Sequence, residues 1–350
     1  MRRGISFSQA SSGRIGSDSS GRAAPPRAGA GPIGRADLHA HSRHSRPCGL
    51  PAGPSHGIGA PEAIYRAAKG RAMDFVTLTD RDTIDGCLEF LERHPDARDF
   101  FVSEEVTARD PRSGIRLHVL LFGLTEAQHR EAQRLKEDVR ALLHYARVQE
   151  IAAVLGPFLD ALPERSLLSD ESRRILRLFE RFEVRHGAAG RAHNQLVSRL
   201  VDETMAGRSF GVTAGSGAHG PARVGRTATL ARAATRDAFL ANLRAGRTWT
   251  WGEDGSLWTA TADLLRVMKE SGPVLGARAP LLRHQAGRRR LEVRIRKARR
   301  GLDRMVITRF KEKTRTYVPG AAAAGPGAMH EAPAAVGPDA KDRSQRLVYS

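Results

Sequence analysis

Two histidines two residues apart, His39 and His41, stand in the run Asp37-Leu38-His39-Ala40-His41-Ser42. On an extended segment, side chains at i and i+2 project to the same side, so both imidazoles can reach one metal ion. A lone pair of this kind also arises by chance on surfaces, so its meaning depends on what else converges with it. Four further polar groups sit within or just beyond apolar runs. They are Thr79-Asp80-Arg81-Asp82, Ser103-Glu104-Glu105-Val106-Thr107, His118, and Ala214-Gly215-Ser216-Gly217-Ala218-His219.

The elements that must carry these groups alternate in type. Phe75–Thr79, Leu117–Phe122, Ile151–Leu155, Phe182–Val184 and Gly211–Ala214 read as strands. Helices are expected after Pro61, from Thr125 to about Tyr145 behind a Thr125/Gln128 capping box, and near Asp170–Arg181, Ala192–Thr204 and Thr235–Ala245. Such alternation predicts an α/β fold of parallel strands with crossover helices, either a barrel or a doubly wound sheet. In a parallel barrel the strand ends converge on one face, where catalytic groups gather.

Taken together, the residues from about Ala36 to Gly252 resemble the polymerase-and-histidinol-phosphatase (PHP) family. Its members show, in order, a DLHxHS opening, a TDHD turn, a GxE segment, a strand histidine, an HP pair and a GSDAH segment. The stretches Gly86–His94 and Leu124–Arg130 also look like bacterial members, and Phe182-Glu183-Val184-Arg185-His186-Gly187 is similar to the family's FEVxNG segment. The resemblance implies a distorted (β/α)7 barrel holding up to three divalent metals, with hydrolysis of phosphoric esters as the usual activity.

Within that resemblance, His39, His41, Glu105, His118 and His219 stand at ligand positions, whereas others are substituted. The TDHD histidine is Arg81, the HP histidine is Gly156, and the GSDAH aspartate is Gly217. The acidic residue that often follows the opening motif is also absent, with Ser45-Arg46-Pro47 there instead. Glycine offers no side-chain donor and Arg81 would repel a neighbouring cation, so one or two divalent ions (Zn, Mn or Fe) are expected rather than three.

His39, His41 and Glu105 form a His₂-carboxylate set that leaves coordination open for water. His118 and His219 are then ligands of a second site or groups for proton transfer, with Asp80 beside them as a catalytic candidate. Arg81 is placed on a substrate phosphate, which its planar fork suits. His44, Asp80 and Asp82 are also weighed as substitute ligands. Restoring Arg81→His, Gly156→His and Gly217→Asp together is expected to raise metal occupancy. The reading is a metal-dependent phosphoesterase with a reduced centre, acting on a small phosphorylated substrate. The alternatives are an inactive barrel that binds a ligand or partner, and a basic nucleic-acid adaptor.

The formal charge of +19 bears on that last alternative. Residues 1–36 carry +5 and Arg278–Arg315 carry +12, which leaves +2 for residues 37–277. The domain plan is therefore a disordered basic segment 1–35, the metal-hydrolase barrel 36–253, a helical Arg-rich extension 254–316 and a flexible tail 317–350. Non-specific RNA or DNA contact is assigned to the basic flanks.

Cys48 and Cys87 lack a CxxC spacing and read as incidental thiols in a reducing cytoplasm. Neither a signal peptide nor a membrane span is expected. Gly215–Gly220 fits GxGxxG, but Pro221 follows at once where a dinucleotide site would need its helix. Trp249, Trp251 and Trp258 read as packing residues.

Overall fold

The computed structural model describes residues 31–46, 59–160 and 169–255. The expected segment 317–350, nearly all of the 1–35 segment and of the 254–316 extension, Cys48 and Trp258 lie outside the described residues. Ile33–Ala36 forms a strand (β1), so regular structure begins inside the stretch expected to be disordered. Gly34 has no room for a side chain, since a Cβ there would lie 2.4 Å from the Phe75 ring.

After β1 come α1 (Pro61–Gly70), β2 (Val76–Leu78), α2 (Asp85–Arg93), β3 (Phe100–Arg109), β4 (Arg116–Phe122), α3 (Glu126–Leu135) and α4 (Val139–Val148). Then follow β5 (Ala152–Leu155), α5 (Asp170–Leu176), β6 (Arg181–His186), α6 (Arg191–Thr204), β7 (Gly211–Gly215), β8 (Thr227–Arg232), α7 (Arg236–Arg244) and β9 (Thr248–Gly252).

The capping box forms as expected: Thr125 Oγ1 accepts from Gln128 N–H, and the Gln128 side chain accepts from Thr125 N–H. The helix it starts is nevertheless shorter than expected. Asp138 accepts from the Arg140 and Ala141 amides and so caps a second helix, splitting the stretch into α3 and α4. Likewise α5 ends at Leu176, and Arg181 already belongs to the next strand.

Six strands form one sheet in the order β2-β3-β4-β5-β6-β7, and β1, β8 and β9 form another. The all-parallel expectation fails at β4, which is antiparallel to both neighbours. The reason is local. Only Asp110–Ile115 joins β3 to β4, and Asp110 closes that turn through Ser113, leaving no length for a crossover helix.

The segment following β1 closes the curled six-stranded sheet into a seven-membered ring. On one side Thr79 N–H donates to Ala40 O at 2.9 Å; on the other, Gly217 N–H donates to His39 O at 2.7 Å and His41 N–H to Ala218 O at 2.8 Å. The fold is thus a distorted α/β barrel. Asp37 pins this closure, because its buried carboxylate accepts from the His39, Ser216 and Gly225 amides.

Apolar burial backs the sheet with helices. Phe75, Phe101, Phe122 and Val154 pack with Phe239, Leu240 and Leu243 of α7. Ile64 of α1 and Phe90 of α2 pack with Leu78 and Phe100. Each such Phe, fully buried, contributes on the order of 2–3 kcal/mol. Trp251 does not meet the packing expectation, being 51% exposed. Among the described residues, no helix is long and apolar enough to cross a membrane.

Candidate metal centre

The opening segment carries His39 and His41 into the ring beside β3, where Glu105 faces them. Their Nε2 atoms lie 3.2 Å apart. Glu105 Oε2 is 3.4 Å from His39 Nε2 and 3.3 Å from His41 Nε2. All three residues are buried. A triangle with such edges has its centre about 1.9 Å from each corner, close to the roughly 2.0–2.2 Å of zinc–nitrogen and zinc–oxygen bonds. Glu105 Oε2 is fully buried and accepts no hydrogen bond among the described residues. An orphaned carboxylate oxygen facing two imidazole nitrogens is what a cation site requires, so these residues fit a divalent ion.

The other oxygen of Glu105 is crowded. Arg81 donates to Oε1 from Nε at 3.2 Å and Nη2 at 3.1 Å, and His118 Nδ1 lies 2.5 Å from it. Burial alone would raise the Glu105 pKa, but Arg81 and His118 hold it well below the usual carboxylate range. Arg81, expected on a substrate phosphate, is therefore seated on Glu105. His219 stacks on His41, with ring centroids 5.0 Å apart. Burial, together with the His219, His39 and Arg81 charges, outweighs Glu105 and keeps the His41 pKa well below its ordinary value.

Other candidates are engaged elsewhere. Both oxygens of Asp80 are taken by Ser42, one by its amide and one by its hydroxyl, each at 2.5 Å. Burial pushes the Asp80 pKa up to about 6. The expected catalytic role of Asp80 thus finds no support in these contacts: its carboxylate ties the opening segment to the turn after β2. Asp82 caps the Thr107 amide of β3, and His44 pairs with Glu89. None of the three joins the triangle. Cys87 is buried, and its pKa is pushed up to about 12, which leaves its thiol inert.

Glu183 and His186 both come from the run that is similar to the FEVxNG segment. Glu183 lies at 3.0 Å from His39 Nδ1 through both oxygens and at 3.3 Å from His186 Nδ1 through Oε1. Burial opposes its charge, yet His39 and His186 hold its pKa down to about 2. Burial likewise opposes the charged form of His39, but Glu183 and Glu105 raise its pKa to about 10. His39, Glu183 and His186 make a second group whose ligand atoms all lie within 4.8 Å of one another. The signal that could have found Glu183 was its place in the FEVxNG-like run, on β6.

Beyond Glu183 follow α6, β7, the loop with Gly217 and His219, β8 and α7. The PHP-associated family model matches residues 193–248, from within α6 to the start of β9. No curated protein matches the chain. Among solved structures, PsfC from Pseudomonas syringae is 16% identical with a TM-score of 0.49, covering 67% of this chain and 97% of its own. An amidohydrolase from Chromobacterium violaceum, with bound sulfate and no metal, is 15% identical with a TM-score of 0.41 over 54% of this chain and 89% of its own. A two-domain Bacteroides vulgatus protein containing a predicted PHP-like metal-dependent phosphoesterase is 16% identical with a TM-score of 0.44, over 63% and 65% respectively. The PHP resemblance read from the opening motif onward thus meets a PHP-associated segment at the other end of the barrel.

Proposed function

We propose that this PHP-like barrel hydrolyses a small phosphate ester with one divalent ion held by His39, His41 and Glu105. The observation that carries the reading is the buried triangle of two Nε2 atoms and the orphaned Glu105 Oε2. A divalent ion bound there supplies Lewis acidity toward a phosphoryl oxygen and lowers the pKa of water. Zinc suits the nitrogen-rich donor set, with manganese and iron as the other candidates.

The chain's own residues do the rest. Glu183 keeps the His39 Nδ1 proton on its side and leaves Nε2 toward the site. Arg81 supplies fixed positive charge beside Glu105, where a second cation would otherwise be needed, and its guanidinium edge is the group to receive a phosphate oxygen. His118 and His219, on either side of the triangle, are the groups for moving a proton to the leaving oxygen. The test is hydrolysis of p-nitrophenyl phosphate by metal-loaded protein. Turnover that disappears in His41→Ala and on chelation supports the reading. Turnover indifferent to both refutes it.

One observation favours a second reading. Arg81 and His118 already neutralise Glu105 Oε1 without an ion, so the pocket can persist as an inactive, anion-binding barrel. That reading requires metal-stripped protein to bind phosphate esters as tightly as loaded protein. The basic stretch Arg278–Arg315 is proposed to add non-specific nucleic-acid contact, recognisable by its steep salt dependence.

A further inference from the structure

We propose that a cavity between α4, α7 and the start of β6 binds a small organic anion, a carboxylate on an apolar body, through Arg181. The cavity measures about 470 Å³ and shares no residue with the metal centre. That volume falls within the roughly 300–1,000 Å³ of small-molecule sites. Leu143 of α4, Ile151 before β5, and Leu178 and Phe179 before β6 supply apolar surface. Around them Arg147, Arg181 and Arg244 stand against Glu150 and Glu180, an excess of one positive charge.

Arg181 is the group left with donor capacity. It opens β6, and its side chain is only 18% exposed. Its Nε donates to Leu243 O at 2.9 Å and its Nη2 to Arg244 O, both carbonyls at the end of α7. Those two bonds cap the helix and use one edge of the guanidinium fork. Among the described residues Nη1 donates to no acceptor, although it carries two hydrogens. Glu180 offsets the charge only from a distance: its Oε2 lies 3.7 Å from Arg181 Nη2, and its Oε1 accepts from Arg147 at 3.1 Å. Burial, with Arg147 and Arg244 nearby, outweighs Glu180 and lowers the Arg181 pKa from its ordinary value. An anion brought into the cavity stabilises a cation so placed, and the apolar surface beside it takes the rest of the molecule. A carboxylate matches the single surplus charge, whereas a phosphate monoester carries nearly two.

The experiment is isothermal titration calorimetry of the full-length protein with naphthoate and with its neutral isostere naphthamide. Naphthoate is expected to bind at one site per chain, at least about tenfold more tightly than naphthamide. It should bind equally to metal-loaded and chelator-stripped protein. Arg181→Met should abolish the preference for the anion. Ala241→Trp, on the α7 wall, should weaken both compounds by filling the space while leaving the carbonyl partners of Arg181 in place. That second variant keeps the test open if Arg181→Met does not fold. Absence of naphthoate binding, equal affinity for the two compounds, or affinity unchanged in a folded variant overturns the proposal. So does binding that vanishes with the metal, because the anion would then sit at the metal centre.

Discussion

Glu183 lies 3.0 Å from His39 Nδ1 through both carboxylate oxygens, on the opposite edge of the ring from Glu105. One imidazole is thereby held between two carboxylates, one orienting it and one sharing the proposed ion with it. In the metal-free protein these carboxylates keep His39 protonated up to about pH 10, burial notwithstanding. Metal loading must displace the Nε2 proton, so affinity should weaken as pH falls.

Removing the orienting carboxylate tests this directly. Glu183→Gln should lower metal affinity roughly 10- to 100-fold without unfolding the barrel, since the amide still fills the space. Chelator competition, with far-UV circular dichroism alongside, reads both quantities. Unchanged affinity would reduce Glu183 to a packing residue.

Putting the family's donors back one at a time should not rebuild a larger centre. A Cβ on Gly156 would meet His118 O at 3.0 Å and His118 Cβ at 3.4 Å, and one on Gly217 would run into His186. Gly156→His and Gly217→Asp are therefore expected to cost about 1–3 kcal/mol each through overpacking and to gain no second ion. The combined restoration with Arg81→His meets the same obstruction while His186 remains. Denaturant melts and elemental analysis of each variant decide the point, and a stable variant with an added ion would count against this packing.

Arg81 separates binding of substrate from binding of metal. Arg81→Gln removes a cation from the edge of the site and one partner from Glu105, so metal affinity should hold or rise. Phosphoesterase kcat/KM should nevertheless fall by at least about tenfold, or roughly 1.4 kcal/mol in transition-state binding. A variant that kept full kcat/KM would show that Arg81 serves Glu105 alone.

Away from the site, Asp110 tests how the β3–β4 turn is anchored. Its carboxylate is buried and paired with Arg174 of α5 and with Ser113. Burial would raise its pKa, but Arg174 and Ser113 hold it below the usual value. A depressed folded-state pKa means stability that is present above the unfolded value, near pH 3.9, and lost as pH falls through the folded one. Asp110→Asn should thus cost about 1–3 kcal/mol at pH 7, and the gap to the parent protein should close in strong acid. A gap independent of pH would mean that the charge contributes nothing.

Much of this architecture was legible because local chemistry decided it. The Thr125/Gln128 box, Pro61 at the start of α1 and the apolar runs of β2, β4, β5 and β7 were recoverable from side-chain types alone. The i, i+2 spacing on an extended segment likewise put His39 and His41 on one face, whereas Glu105 was joined to them only by the family resemblance. The antiparallel β4 depended on a six-residue turn whose closure by Asp110 is a tertiary fact. The split between α3 and α4 depended on Asp138 capping rather than continuing a helix, which composition does not distinguish. His186 was hidden for a different reason: only a bulge brings it to the side of Glu183, and periodicity assigns it to the opposite face. The seat of Arg81 on Glu105, and of Asp80 on Ser42, likewise follows from convergence in space.

The most direct measurement is the number of ions bound at saturation. Full-length protein stripped with chelator and reconstituted with zinc, manganese or iron(II) should hold one ion per chain by elemental analysis, and His41→Ala should hold none. No ion bound under any of the three metals, or an ion retained by His41→Ala, would contradict a centre built on His39, His41 and Glu105.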